Sequence, residues 1–244
     1  MKMILCGKGG CGKSTVSTLL ADAYLSEGKN VLVVDTDESN YGLHKQLGLP
    51  LPDDLIHYFG NKKSIMQKKN ASEPLFARRW TFSSLPPEYC SEKGNLKLMA
   101  IGKISEAGEG CACPMGFLTG AFLENLDLSD NDVVIVDAEA GVEHFGRGVD
   151  SHVGYILMVI DPSFESIHLS EKIYRMGTTY GKPVYFILNK MDASQAELVS
   201  EALTHKDSII AKIPLDNDVL LQGLKGARLT KTLPEIQTIV RKLC

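Results

Sequence analysis

The chain has 244 residues, of which 44% are hydrophobic and 23% charged, as is typical of a globular α/β domain with a sizeable core. The net charge of −4 argues against general affinity for nucleic acid, which requires a basic face. The longest apolar runs are of strand length, and the few residues before the first glycine-rich loop leave no room for a targeting segment. We therefore expect a cytoplasmic protein with neither membrane nor nucleic acid as its partner.

Apolar runs of strand length alternate with helical patterns along the chain, which predicts a P-loop NTPase fold with a mostly parallel, twisted sheet and helices on both faces. Strands are predicted at residues 3–6, 30–37, 96–102, 132–138, 155–161, 184–190 and 208–214. Helices are predicted at residues 13–28, 115–126, 165–177, 194–204, 217–225 and 234–242.

Residues 50–95 fit this alternation poorly, because they contain five prolines and the basic run "NKKSIMQKKN". We interpret this stretch as an irregular excursion from the sheet within a single domain that spans residues 1–244. The basic run is either a solvated helix face or a surface that docks an acidic partner protein.

The stretch "GKGGCGKST" contains the phosphate-binding pattern G-x-x-x-x-G-K-[ST] between a predicted strand and a predicted helix. Glycines allow successive backbone N–H groups to approach phosphate oxygens, and the helix adds the positive end of its dipole. Lys13 is expected to neutralise the β- and γ-phosphates, and Ser14 to bind Mg²⁺. The candidate nucleotide-binding residues of the loop are Gly7, Lys8, Gly9, Gly10, Cys11, Gly12, Lys13, Ser14 and Thr15.

Three aspartates near the ends of predicted strands are candidates for the metal and for hydrolysis. Asp137 ends "VVIVD", and Gly141 follows four residues later, a pattern that resembles the second nucleotide-binding motif with a switch glycine that senses the γ-phosphate. Asp35 and Asp37 in "VLVVDTD" lie on the same side of their strand. We expect Asp35 and Asp137 near Mg²⁺ and Asp37 on the attacking water, with helix caps or loop acids as the alternative.

Cys111 and Cys113 flank a single alanine, and soft thiolates of this kind favour zinc, nickel, copper(I) or iron–sulfur clusters. A closed thiolate site usually needs four ligands, which two chains related by a two-fold axis would supply together. A redox dithiol and two incidental small residues in a loop are the other interpretations.

The segment "KGGCGKS" is similar to the deviant phosphate loop of the MinD/ParA-type ATPases, a group that includes the nitrogenase iron protein. The resemblance implies that Lys8 crosses a homodimer interface and contacts the phosphates bound by the other subunit. A cation that a partner supplies stabilises the charge of phosphoryl transfer, so hydrolysis would depend on closure of the dimer, and we count Lys8, Lys13 and Asp37 as candidate catalytic residues.

Two further stretches, "EGCACPMG" and "DAEAGVEHFGRG", look like those of the CooC-type nickel-insertion ATPases, which mature carbon monoxide dehydrogenase. That resemblance implies a homodimer that uses ATP and Mg²⁺ and shares one Ni²⁺ or Zn²⁺ ion between the cysteine pairs of its two subunits. It also implies a nickel enzyme as the client, with carbon monoxide dehydrogenase as the example. The assignment of nickel depends on this resemblance alone.

The stretch "ILNKMD" matches N-K-x-D, a motif that reads guanine in GTP-binding proteins, whereas in the MinD/ParA group the same strand end presents an asparagine to the base. Asn189 and Pro214 are therefore candidate base contacts, and ATP is favoured on resemblance while Asp192 leaves GTP open. Three competing functions are a positioning ATPase that acts on membranes or DNA, an electron-transfer ATPase with a [4Fe–4S] cluster, and a nickel-handling GTPase.

Overall fold

The structure is a computed structural model and describes residues 1–103, 113–142, 145 and 148–243, without the side chain of Asp150. Its strands are β1 (Lys2–Cys6), β2 (Asn30–Asp35), β3 (Ser91–Lys93), β4 (Leu96–Ala100), β5 (Asp132–Asp137), β6 (Tyr155–Ile160), β7 (Val184–Asn189) and β8 (Ile209–Ile213). Its helices are α1 (Lys13–Ser26), α2 (Leu43–Leu47), α3 (Lys62–Asn70), α4 (Cys113–Asn125), α5 (Phe164–Thr179), α6 (Ala193–Ala202), α7 (Asn217–Leu224) and α8 (Pro234–Leu243).

The described strands form one eight-stranded sheet in the order β3-β4-β2-β5-β1-β6-β7-β8. All neighbouring pairs are parallel except the short β3, which runs antiparallel to β4. The predicted α/β class with a mostly parallel sheet is therefore confirmed. The strand β1 lies between β5 and β6, so the connections that leave these strands run to opposite sides of β1. A ligand-binding crevice is expected at the carboxyl ends of strands where the connections diverge in this way.

Side chains alternate between the two faces of the sheet, and each face is covered by helices. Met3 and Leu5 of β1 pack with α1 and α8 on one face, whereas Ile4 and Cys6 pack with α4 and α5 on the other, and all four are fully buried. A parallel strand buried on both faces has a continuous apolar sequence, which explains why "MILC" and "VVIV" were recognisable as strands.

Residues 50–95 contain α3, β3 and 3₁₀ helices at Leu55–Phe59, Phe82–Ser84 and Pro87–Tyr89. The basic run forms α3, which the Asn61 side chain caps by accepting a hydrogen bond from the Ser64 amide at 3.0 Å. Only Ile65 of this helix is buried, so its lysines lie on the outer side. None of the helices that the structure describes has the length and apolar character needed to cross a membrane.

Candidate nucleotide-binding site

The loop between β1 and α1 adopts a backbone that only glycine accommodates at two critical positions. Gly7 has φ 138° and Gly12 has φ 103°, both in the region that disfavours side chains. A Cβ atom on Gly7 would overlap the Val159 carbonyl oxygen, and one on Gly12 would overlap the Asn189 amide. The glycines therefore let the loop lie directly against the ends of β6 and β7.

Lys13 is the first residue of α1 and folds back over this loop. Its Nζ lies 3.4 Å from the Gly7 carbonyl oxygen and 3.3 Å from that of Lys8, and the residue is only 7% exposed. An open cleft of about 750 Å³ is bordered by Asp37, Asn40 and six of the nine predicted loop residues, namely Gly9, Gly10, Gly12, Lys13, Ser14 and Thr15. An ammonium group at the loop and the amino end of a helix make this cleft suitable for phosphate.

Ser14 and Asp137 lie together below the cleft. The Ser14 Oγ donates a hydrogen bond of 2.6 Å to Asp137, the Ser17 hydroxyl donates one of 2.9 Å, and Asp137 is completely buried. Burial raises the pKa of Asp137, and the Ser14 hydrogen bond and the Lys13 charge lower it in part. A hydroxyl and a carboxylate are hard oxygen ligands, so the predicted pair fits Mg²⁺ chemically.

Asp35 pairs with Asp137 in the register between β2 and β5, but its carboxylate has a partner that we did not predict. The Lys103 Nζ lies 2.6 Å from Asp35 Oδ2, and both side chains are almost fully buried. Burial raises the pKa of Asp35 to about 7, against the lowering effect of the Lys103 charge. The role of Asp35 beside magnesium stays a prediction, and it competes with this ion pair.

The loop after β2 is held by the same lysine. The Lys103 Nζ donates hydrogen bonds of 2.6 Å to the carbonyl oxygens of Asp37 and Asn40. The Asn40 side chain in turn donates a hydrogen bond of 2.7 Å to the Ser14 hydroxyl. The Asp37 carboxylate accepts hydrogen bonds from the amide and hydroxyl of Ser39. Asp37 also borders the cleft, and its contact with the attacking water stays a prediction.

Lys8 lies at the loop and forms an ion pair within its own chain. Its Nζ is 3.2 Å from the Asp161 carboxylate, which follows β6, and 4.0 Å from Glu165. The Lys8 side chain is 25% exposed, so it can reach solvent. Serine hydroxyls of residues 163 and 166 also donate to Asp161. Partial burial acts to raise the pKa of this carboxyl group, but these hydrogen bonds and the contact with Lys8 outweigh it and lower the pKa.

The predicted switch glycine lies against the phosphate loop. Gly141 has φ 92°, and its amide donates a hydrogen bond of 3.1 Å to the Gly7 carbonyl oxygen. The segment that follows Asp137 is thus attached to the loop through a backbone hydrogen bond. Its response to the γ-phosphate remains a prediction.

The predicted base contacts lie at the ends of the neighbouring strands β7 and β8. The Asn189 amide donates a hydrogen bond of 2.8 Å to the Cys11 carbonyl oxygen, and Pro214 follows Ile213, which pairs with Asn189. Lys190 adopts φ 61° and donates a hydrogen bond of 2.7 Å to the Gly10 carbonyl oxygen. The Asp192 carboxylate instead caps α6, accepting a bond of 2.8 Å from the Gln195 amide.

Cys11 and Cys113 differ in accessibility. Cys11 is fully buried in the loop, and burial raises the pKa of its thiol to about 11, so it stays neutral at physiological pH. Cys113 begins α4 and is exposed, whereas Cys111 lies outside the described residues. Within the described ranges, no group of three or more His, Cys, Asp or Glu side chains is placed to bind a metal ion.

Four residues of this site were missed from the sequence: Asn40, Lys103, Asp161 and Lys190. Asp161 ends a strand in "MVID" just as Asp137 does, so the rule that selected Asp137 would have found it. Lys190 belongs to the N-K-x-D motif that drew attention to Asn189. Lys103 had no local signal, because its partner Asp35 is 68 residues away.

Comparison with known proteins agrees with this geometry. Residues 2–229 match the family described as the CobQ/CobB/MinD/ParA nucleotide binding domain. An ATP-binding protein of Methanocaldococcus jannaschii is 50% identical, over 100% of this chain and 99% of its own length. The carbon monoxide dehydrogenase accessory protein CooC of Rhodospirillum rubrum is 30% identical, over 90% of this chain and 85% of its own.

The fold also matches a solved structure, that of the septum site-determining protein MinD from Pyrococcus horikoshii in complex with Mg-ADP. The two superpose with a TM-score of 0.70 over 99% of this chain and 94% of the other, at 17% sequence identity, a level that supports the fold alone. Because the family match covers most of the chain and includes the phosphate loop that the structure describes, the protein belongs to the CobQ/CobB/MinD/ParA nucleotide-binding family and is a P-loop ATPase.

Proposed function

We propose that this ATPase works as a homodimer that binds a metal ion, with nickel favoured, between its subunits and inserts it into a nickel enzyme such as carbon monoxide dehydrogenase. The observation that carries the proposal is the 30% identity to CooC over 90% of the chain. It is supported by the exposed position of Cys113 at the start of α4, where a thiolate is accessible to a second subunit. The ion is here the cargo, and ATP provides the driving force.

The geometry supports a division of labour in the hydrolysis of ATP. Lys13 and the loop amides bind the phosphates, and the Gly141 amide exchanges its bond to Gly7 for the γ-phosphate. Ser14 and Asp137 would hold Mg²⁺, which would supply neutralising charge to the phosphates. Asp37 borders the cleft where the attacking water is needed, and Lys8 of one subunit stabilises charge in the site of the other.

The structure favours adenine over guanine as the base. A carboxylate that reads guanine must accept hydrogen bonds from the base, whereas Asp192 accepts bonds from the first turn of α6 and the Ser194 hydroxyl. These bonds lower the pKa of Asp192 and hold its carboxylate on its own helix. We therefore propose ATP as the nucleotide, with Asn189 and Pro214 beside its base.

The cysteine pair provides the most selective test of the metal site. We expect the double variant Cys111→Ser, Cys113→Ser to lose the intersubunit ion, because hydroxyls are poor ligands for the soft metals that thiolates hold. Nucleotide binding should be retained, since Lys13 and Ser14 lie in a separate loop. The measurement is metal content per dimer by mass spectrometry after anaerobic purification with ATP and Mg²⁺.

The matched control is Cys90→Ser. Cys90 lies at the edge of the sheet and is buried, with only 7% of the residue exposed. This variant should keep its metal. If the double variant still binds one ion per dimer, the Cys-x-Cys pair is not the metal site and the proposed cargo function is wrong.

A further inference from the structure

The central part of the stretch that interrupts the sheet carries a charge opposite to that of the remaining chain. Residues 55–87 contain six Lys and Arg and a single Glu, a net charge of +5. Because the whole chain carries −4, the other residues together carry −9. We call residues 55–87 the basic segment. A local excess of positive charge on an acidic protein attracts negatively charged partners to that part of the surface.

The basic segment contains a groove with an aromatic floor. The groove has a volume of about 480 Å³, and Tyr58, Phe59, Phe76 and Trp80 line it. Their rings meet edge to face, with the Phe76 and Trp80 centroids 5.0 Å apart and those of Tyr58 and Trp80 5.4 Å apart. Aromatic rings locked by their neighbours lose little entropy on binding, which suits them to an interface.

Two cations at this groove have no acidic partner. Lys68 and Arg78 line it, and neither forms an ion pair with a carboxylate in the part of the chain that the structure describes. The neighbouring cations are engaged, because Arg79 pairs with Asp127 and the Lys69 Nζ lies 5.2 Å above the Phe117 ring. The groove therefore presents two unsatisfied cations beside exposed aromatic surface, and Tyr58 is 49% exposed.

The groove is connected to α4, the helix that begins at Cys113. Phe122 of α4 contacts the aromatic floor, with its ring centroid 6.1 Å from that of Trp80. Phe117, under Lys69, belongs to the same helix, and Cys113 is the first residue of that helix. A protein bound in the groove would thus lie on the flank of α4.

We propose that the groove docks an acidic peptide segment of a partner protein, one that presents an apolar side chain to the aromatic floor and carboxylates to Lys68 and Arg78. That the partner is the enzyme that receives the metal rests on the proposed function, whereas the docking itself does not. A peptide is favoured over nucleic acid because the cations form a short cluster rather than a continuous stripe, and the rest of the acidic chain repels a polyanion.

The test uses the full chain without metal or nucleotide, so its outcome is independent of the cargo function. A random peptide display library is selected on the protein, and the selected peptide is synthesised with a fluorophore for anisotropy titration. We expect selected peptides to combine Asp or Glu with Phe or Leu. The variants Arg78→Glu and Lys68→Glu should each weaken binding by about tenfold or more, because charge reversal at a desolvated contact is costly.

The matched control is Lys206→Glu, which reverses an exposed charge beside β8, at the other edge of the sheet. It should bind the peptide as the wild type does, and all three variants should keep the wild-type rate of ATP hydrolysis and thermal midpoint. Failure to select peptides, selection of neutral or basic ones, or equal binding by all variants would overturn the proposal. Oligothymidylate that competes for the groove would assign it to nucleic acid instead.

Discussion

Replacing Lys8 with glutamine is expected to leave ATP binding nearly intact and to lower the rate of ATP hydrolysis by about a thousandfold, the scale at which a cation supplied in trans acts. Lys13 remains to bind the phosphates in the variant, so the loss should fall on kcat rather than on affinity. Steady-state hydrolysis and equilibrium binding of a fluorescent ATP analogue measure the two effects separately.

The ion pair of Lys8 with Asp161 does not prevent this role. Both side chains are partly exposed, at 25% and 17%, and such pairs contribute at most about 1 kcal/mol. A nucleotide bound by a second subunit offers several phosphate charges in exchange. Breaking this pair therefore costs little compared with what Lys8 would gain at the phosphates of a second subunit.

Mixing two inactive variants shows whether Lys8 acts in trans. A Lys8→Gln subunit has an intact phosphate site, and a Lys13→Ala subunit retains Lys8. If Lys8 works across the interface, the mixed dimer regains hydrolysis at one of its two sites. If Lys8 works on its own nucleotide, the mixture is no more active than the sum of its components, and the dimeric mechanism is wrong.

Replacing Lys103 with methionine is expected to lower the free energy of unfolding by about 3–5 kcal/mol, because it leaves the buried Asp35 carboxylate without its counter-ion. It also removes the donor that holds the carbonyl oxygens of Asp37 and Asn40, so ATP hydrolysis should fall as well. Urea denaturation at several pH values measures the stability change.

The decrease in the free energy of unfolding caused by Lys103→Met should become larger as the pH rises. The pKa of Asp35 is already raised to about 7 in the folded protein, and removal of the Lys103 charge raises it further. In the variant, Asp35 of the folded state keeps its proton at pH values where Asp35 of the unfolded state has lost it. The free energy of unfolding therefore falls as the pH rises above the pKa of Asp35 in the unfolded state. The difference from the wild type should be smallest near pH 5 and largest near pH 8.

Lys97→Met is the matched control, because Lys97 lies on β4 a few residues before Lys103 and pairs with the exposed Glu92. Loss of that surface pair should leave the free energy of unfolding nearly unchanged between pH 5 and pH 8, because solvent screens the charges of an exposed pair. Equal destabilisation by the two variants would contradict the special role assigned to Lys103.

The candidate phosphate-binding residues were recognisable in the sequence because a phosphate loop requires a fixed local spacing. Gly7, Gly12, Lys13 and Ser14 form one continuous motif, and the strands around it are apolar on both faces. By contrast, β3 has only three residues and no apolar pattern, and α3 buries only Ile65. The strand β3 forms by pairing with β4, which no local pattern records, whereas α3 begins at the local Asn61 cap and was one of the two interpretations of the basic run.

Contacts between distant segments account for what the sequence could not predict about the site. The order of the strands places Asp35 beside Asp137, whereas along the chain they are far apart. Lys103 follows β4 and reaches Asp35 because β4 and β2 are neighbours. The Lys8–Asp161 pair arises in the same way from the adjacency of β1 and β6.

The central claim is that bound ATP brings two chains together around one metal ion. Its most direct test combines light scattering with metal analysis on anaerobically purified protein supplied with Ni²⁺, with and without ATP and Mg²⁺. The account predicts a dimer that holds one ion per two chains in the presence of ATP, and separate chains without the shared ion in its absence. A particle that hydrolyses ATP at its full rate as a single chain and binds no metal would contradict it.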